Sequence, residues 1–434
     1  MDISKLHQLF LESAGVSTDT RSLQSGQIYV ALKGQHFDGN QYAHQALESG
    51  ANYAIVDDVA VIDKTDDRYL LVEDTLRCLQ NLATAHRQYC QATVIGITGS
   101  NGKTTTKELL SAVLSTTYKV SATYGNLNNH IGVPLTLLSV TPDMEYSIVE
   151  MGANGPTDIE ELCEIALPDY GYITNIGSAH LEGFGDMDGV YRGKTALFRY
   201  IDAHGRKCIV NQYDPYLVDS PISPDKAEHL QTALEVVNTE GMQLSVQLNG
   251  TTIDTQLTGA YNLDNINAAI TVGLMFDVPM DQIAFALEHY QPTNKRSQII
   301  TNENHTLILD AYNANPSSMR EALKNAISVT PSTQTSVAVI GDMYELGANS
   351  IEMHREILKY AISLGYRELV LVGKLMTVAV SELIDKQPDV QAVQISTYDT
   401  VDDLIPVWSQ TDKSDTVYLI KASRGVKLER LITE

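Results

Sequence analysis

Residues Gly96 to Leu110 read GITGSNGKTTTKELL, which sets glycines at 99 and 102 just before Lys103 and the threonines Thr104, Thr105 and Thr106. That order suits a polyphosphate. Glycines let backbone N–H groups face phosphate oxygens, a helix starting there adds partial positive charge, a lysine reaches the terminal phosphates, and a threonine hydroxyl can ligate magnesium. The widespread spelling G-x-x-x-x-G-K-[ST] asks for glycine at 97, where this chain has Ile97. The surroundings nonetheless fit, because an apolar run, ATVIGITG, precedes the loop and an amphipathic helical pattern follows it. The competing reading is a glycine turn that meets G-K-T by chance.

Further candidates stand at the ends of apolar runs. In SIVEMGANG an apolar strand ends in Glu150, either part of a magnesium site or a solvated acid. His180 follows YITNIGSA, where a loop histidine serves structure as readily as function. Lys194 falls on a predicted helix and reads as a surface lysine unless burial makes it neutral and reactive. Asn262, Asn265 and Asn267 crowd the start of another helix, where asparagine is unfavourable. Asn262 and Asn265 share a face and could meet a base edge, with Asn262 as a plain cap the alternative. Arg296 opens the last third, and Asp310 ends a strand, a common place for a ribose partner. Asn313 to Asn315 then precede Pro316, which with Asn315 as cap predicts a helix start.

These residues must be positioned by short apolar strands alternating with amphipathic helices, the pattern of parallel α/β sheets. Three blocks are expected over residues 1–85, 86–295 and 296–434, in keeping with a chain of 434 residues. One stretch, EVVNTEGMQLSVQLNGTTIDTQLTG, alternates instead and predicts an antiparallel patch turning at Asn249-Gly250.

Composition narrows the partners. With 54 acidic and 30 basic residues the formal charge is −24, which repels nucleic acid. No apolar run approaches the roughly 20 residues of a membrane helix. The first residues, MDISKLHQLFLESAG, read as a folded helix rather than a signal peptide. Cys78, Cys90, Cys163 and Cys208 show no zinc or disulfide spacing, so a cytoplasmic setting is expected.

Taken together, the T-G-x-x-G-K-T loop, GNLNNHIGVPLTLL, VEMGANGPTDIEEL, TNIGSAHLEGFG, YNLDNINAA, LDAYNANPSSM and VIGDMYELG resemble the Mur ligases of peptidoglycan synthesis, in order and over nearly the whole chain. Gly99 then supplies the bend that the general pattern assigns to 97.

The resemblance implies a small N-terminal α/β domain for a UDP-sugar, a central P-loop ATPase with a parallel sheet, and a C-terminal Rossmann-like domain. It implies a monomer that spends ATP to join UDP-N-acetylmuramoyl-tripeptide to D-Ala-D-Ala. By the same resemblance, Thr98, Gly99, Ser100, Asn101, Gly102, Lys103, Thr104 and Thr105 hold the phosphates. Thr104 and Glu150 serve one Mg2+, His180 a second, and Lys194 is carbamylated. Asn262 and Asn265 meet adenine, and Arg296 and Asp310 meet phosphate and ribose. Thr20, Arg21, Lys33, Gly34, Asn313, Asn315, Ser423 and Arg424 meet the other substrates. Ala422 departs from a K-G-S-R pattern and puts the loop geometry there in question. Rival expectations are a folylpolyglutamate-type ligase and an ATP-dependent switch that forms no bond.

Overall fold

In the computed structural model, which describes residues 2–238, 242–292, 296–302, 304–386 and 393–433, four sheets divide the chain. The first is parallel, in the order β1-β2-β3-β4, from Val16–Ser17, Ile28–Val30, Tyr53–Val56 and Tyr69–Leu71. Around it lie α1 (Ile3–Leu11), α2 (Ala43–Glu48) and α3 (Thr75–Cys90). Asp74 starts α3 by accepting from the Arg77 N–H at 2.7 Å. The helix runs unbroken to Cys90, so the boundary expected after residue 85 falls inside it.

The central sheet is wholly parallel in the order β10-β9-β8-β5-β7-β6. Its strands are β5 (Thr93–Thr98), β6 (Val120–Ala122), β7 (Tyr146–Glu150), β8 (Tyr170–Ile173), β9 (Lys207–Val210) and β10 (Ala227–His229). Helices α4 (Lys103–Leu114), α5 (Gly132–Leu138), α6 (Asp158–Ala166), α7 (Leu181–Phe184), α8 (Met187–Lys194), α9 (Ala196–Ala203), α10 (Leu263–Met275) and α11 (Met280–His289) accompany it. One apolar core joins α1 and α3 to this sheet, running from Leu6, Phe10, Leu79 and Leu82 to Val94, Val149 and Ile159. At the α1–α3 contact His7 Nε2 lies 3.0 Å from His86 Nδ1, and His86 Nε2 lies 2.8 Å from the Val140 carbonyl. A carbonyl only accepts, so His86 carries its proton on Nε2 and accepts from His7 at Nδ1.

The expected antiparallel patch is β11 (Glu235–Asn238), β12 (Ser245–Leu248) and β13 (Thr251–Asp254). Asn249 and Gly250, at φ +50° and +85°, make the two-residue turn that matches strand twist. The last sheet has the order β14-β15-β19-β16-β17-β18, from Gln298–Thr301, His305–Leu309, Thr416–Lys421, Thr335–Gly341, Glu368–Val372 and Gln394–Tyr398. Among its described strands only the edge strand β14 is antiparallel. The boundary expected between residues 295 and 296 touches a residue outside the described ones. After β15, α12 (Pro316–Val329) returns toward the central sheet.

Candidate active site

The phosphate-loop residues follow β5, between β8 and β7. Ile97 is fully buried inside β5, paired with Glu150 and Tyr172, so position 97 belongs to the strand and a glycine there would serve no turn. The turn is made later. Gly99 sits at φ +141° where a Cβ would lie 1.9 Å from Thr174 Oγ1, and Gly102 at φ +81° where one would lie 2.6 Å from Asn265 Oδ1. Only glycine fits either place. The loop is tied to the segment after β8, since the Asn101 N–H donates to Asn175 Oδ1 at 3.0 Å and the Gly177 N–H to Ser100 Oγ at 2.8 Å. Thr98 is buried beneath it, donating to the Met151 carbonyl at 2.8 Å.

Lys103 opens α4 and folds back, donating from Nζ to the Gly99 and Ser100 carbonyls at 2.6 and 3.3 Å. Burial lowers its pKa to about 8, opposed by Glu150 and reinforced by Arg296. Thr104 donates from Oγ1 to Glu150 Oε2 at 2.8 Å, while Asn128 donates to Glu150 Oε1 at 2.8 Å. Glu150 is 1% exposed, which overturns its reading as a solvated acid. Thr104 and Glu150 together offer the hard oxygen donors magnesium prefers. Among the described residues there is no group of three or more His, Cys, Asp or Glu that could hold a metal.

His180 stands just before α7 at φ +53° and faces Glu345 across the gap to the last sheet. Burial lowers its pKa, Glu345 opposes that, and Lys103 and Lys194 add to it. Lys194, the last residue of α8, is fully buried with Nζ 5.5 Å from the Phe184 ring centre. The surface-lysine reading is therefore wrong. Burial foremost, then the Lys103 charge, pushes its pKa well below the ordinary lysine value, so a neutral amine is favoured.

Asn262 makes no capping bond; its Nδ2 donates to the Thr258 carbonyl at 2.7 Å, and Asn265 Nδ2 donates to Asn262 Oδ1 at 2.8 Å. Thr106 donates to Asn265 Oδ1 at 3.0 Å. Each amide nitrogen keeps one further proton for a ligand. Asn267 instead faces away, accepting from the Gln231 N–H at 2.8 Å.

Arg296 lies 3.9 Å over the Tyr312 ring, and its buried Nε has no hydrogen-bond partner among the described residues. Asp310, just past β15, is held at 2.6 Å by Lys421, the last residue of β19. Asn315 caps α12 as expected, accepting from the Ser318 N–H at 2.9 Å, and its Nδ2 donates to Asn101 Oδ1 at 2.8 Å. Asn101 Nδ2 donates in turn to Ser317 Oγ at 3.1 Å.

One cavity of about 680 Å³ brings these edges together. Its wall includes Ser100, Asn101, Gly102, Lys103 and Thr105 from the loop, with Glu150 and His180 beside them. Asn262, Asn265, Arg296, Asp310, Asn313 and Asn315 also line it. Thr98, Gly99, Thr104 and Lys194 do not line it. Ser423 and Arg424 are also outside it: Ser423 is buried, accepting from the Tyr344 N–H at 2.9 Å, and Arg424 lies over the Tyr312 ring. Ala422 is fully buried against Gly341 without a positive φ, so no glycine is needed there. Thr20, Arg21, Lys33 and Gly34 are likewise outside the cavity, in the loops after β1 and β2. Arg21 is paired with Asp19 at 2.6 Å and Lys33 with Asp57 at 2.8 Å.

Sequence reasoning missed Lys421, Glu345, Asn128 and Ser317. Lys421 had a signal, a lone cation ending the apolar strand TVYLI. The others depend on partners far away in the chain.

A phosphate loop on one parallel sheet, roofed by charged strand ends of a second, defines an ATP-dependent enzyme with a cleft between domains. Three family descriptions match in order: "Mur ligase family, catalytic domain" over residues 12–87, "Mur ligase middle domain" over 97–273, and "Mur ligase, glutamate ligase domain" over 295–424. UDP-N-acetylmuramoyl-tripeptide--D-alanyl-D-alanine ligase of Bacillus subtilis (strain 168) is 34% identical over 97% of this chain and 92% of its own. A crystal structure of MurF from Acinetobacter baumannii superposes with a TM-score of 0.83 at 28% identity, covering 98% and 97% of the two chains. MurF ligase from Thermotoga maritima, crystallised with ADP, gives 0.81 at 26% identity, with 98% and 97% covered. The chain belongs to the Mur ligase family.

Proposed function

We propose that this protein is the ATP-dependent ligase that joins UDP-N-acetylmuramoyl-tripeptide to D-Ala-D-Ala. The observation that carries the reading is the shared cavity, in which a phosphate loop faces Arg296, Asp310 and Asn315 from the closing sheet. Relatives bearing that name over nearly full length support it. A carboxylate is a poor electrophile, so its oxygen first attacks the γ-phosphorus of ATP and the bond to ADP breaks, giving an acyl phosphate. The amine of D-Ala-D-Ala then attacks the acyl carbon, the bond to phosphate oxygen breaks, and the amine's proton passes to solvent. Catalysis of this kind is mostly positioning and charge neutralisation.

In this reading Lys103 leaves its loop carbonyls for the phosphates, the amides of residues 100–104 cradle them, and Asn262 and Asn265 meet the adenine edge. Arg296 and Asp310 approach phosphate and ribose, and Asn313 approaches the substrates between them. Thr104 and Glu150 would hold Mg2+, with His180 and a carbamylated Lys194 facing a second ion; the metal supplies charge neutralisation at the transferred phosphoryl group. Thr20, Arg21, Lys33 and Gly34, all beyond the carboxyl ends of β1 and β2, would take the UDP-sugar, and Ser423 and Arg424 act at the dipeptide end. No described helix is long and apolar enough to cross a membrane, and a cytoplasmic monomer is the expected form. The test is phosphate release from ATP across a panel of UDP-peptides, dipeptides and folates. Release that needs both the UDP-tripeptide and D-Ala-D-Ala is expected, and release independent of either would overturn the reading.

A further inference from the structure

Lys421 lines the cavity, yet the proposed reaction gives it no role. Its place is set by strand register: β15 and β19 run parallel with Leu309 opposite Ile420, so Asp310 and Lys421 follow side by side at the carboxyl ends. The Asp310 N–H donates to the Ile420 carbonyl at 2.9 Å. The Lys421 side chain is 2% exposed, and its Nζ donates to Asp310 Oδ2 at 2.6 Å, to the Asn313 carbonyl at 2.9 Å and to the Asp310 carbonyl at 3.5 Å. An ammonium has three protons, and all three are taken.

That count separates Lys421 from Lys103. Lys103 rests on two neutral carbonyls of the phosphate loop, 2.6 and 3.3 Å away, which a phosphate can replace. Were Lys421 to turn to a phosphate, the Asp310 carboxylate, 16% exposed, would lose its cation, and a largely buried charge without its partner is costly. Lys421 therefore stays in place and acts through Asp310. A carboxylate has about four lone-pair sites. Lys421 takes one, and the Ser297 N–H, 3.3 Å from Oδ1, takes another. The rest remain for a ligand in the cavity, which Asp310 lines. We infer that Lys421 is a positioning residue that makes the site selective for ribose hydroxyls. It does so by fixing the Asp310 carboxylate against rotation and pinning the following turn at the Asn313 carbonyl. The inference rests on the reading in which Asp310 approaches the ribose.

The test is calorimetric binding of ADP and of 2′,3′-dideoxy-ADP, each with Mg2+, to the full chain. The unaltered protein should prefer ADP by about 10-fold or more, as a hydrogen bond to a charged acceptor supplies. Lys421→Met should bring that preference to within about 3-fold. Loss of a phosphate contact, or a general loss of stability, would weaken both ligands alike and leave the ratio where it was. Lys421→Gln, whose amide ends one bond short, should lose most of the preference too, and its polar end suits the buried site if Lys421→Met does not fold. Asp310→Ala tests the underlying contact: a preference that survives there removes the ribose contact and the inference with it. A preference lost in Asp310→Ala yet kept in full by the Lys421 variants overturns the inference alone. Binding of ADP needs no bond to be made, so absent ligase turnover would leave the outcome standing.

Discussion

Asn315 caps α12 with its oxygen and reaches the phosphate loop with its nitrogen, donating to Asn101 at 2.8 Å across two sheets. One side chain therefore does two separable jobs. Asn315→Asp keeps a good helix cap but places an acceptor against the Asn101 oxygen. Its melting temperature should hold while KM for ATP rises. Asn315→Ala removes both contacts and should cost about 1 kcal/mol of stability as well. Thermal melts beside ATP titrations of kcat separate the two, and equal stability loss in both variants would refute the division.

Restoring the widespread loop spelling should do harm. Ile97→Gly empties a fully buried strand position and should destabilise by at least about 2 kcal/mol in urea unfolding. Gly99→Ala should abolish nucleotide binding, because its Cβ collides with Thr174 Oγ1. Adding Thr174→Ala should recover part of that loss, leaving the backbone strain. A stable Ile97→Gly protein would contradict the placement of the turn at 99.

Lys194→Ala should lose most ligase activity, and equilibration with carbon-13 dioxide should give a carbamate signal in the parent protein that Lys194→Gln lacks. Burial pushes the Lys194 pKa well below the ordinary lysine value, which raises the share of the neutral amine that captures carbon dioxide. Full activity in Lys194→Ala would sink the assignment.

The His7–His86 relay predicts an acid-sensitive joint. Burial, first, and each other's proximity lower the pKa of His7, and burial lowers that of His86. Their surroundings are Phe10, Tyr89, Cys90 and the Val140 carbonyl, and among the described residues no carboxylate is bonded to either ring. A base with a lowered folded pKa binds more protons when unfolded, so stability is whole above about pH 6.5 and falls as pH drops below it. Melting temperatures from pH 7.5 to 5.5 should decline less steeply in His86→Gln than in the parent. Parallel slopes would rule the pair out as the cause.

Much of this site was legible because its chemistry sits at strand ends, where local pattern is strongest. Glu150, Asp310 and the loop glycines all follow apolar runs, and the helix cap at Asn315 was written in N-P-S-S. Burial was not legible: Lys194 reads as a surface residue until α8 is packed against α6, α7 and α9. Nor were pairings between sheets, since neither His180 nor Glu345, nor Lys421 and Asp310, names its partner in local spacing. The boundary expected after residue 85 falls inside α3 for a related reason, because a helix that serves two sheets has no compositional break.

That helix has a last consequence. α3 is bonded to the first sheet through Thr75, whose hydroxyl meets the Ala31 carbonyl at 2.9 Å, and to the central unit through Thr84 and the Ile165 carbonyl at 3.1 Å. One apolar core also takes in Leu79, Leu82 and Ala83 of α3 together with residues of both sheets, so the helix packs with both. In the proposed reaction, the sugar nucleotide is gripped at the first sheet and its peptide must reach the phosphate loop on the central one. In that reading the helix sets the distance the peptide must cover, and a UDP-dipeptide donor should release phosphate more slowly than the tripeptide in the same assay.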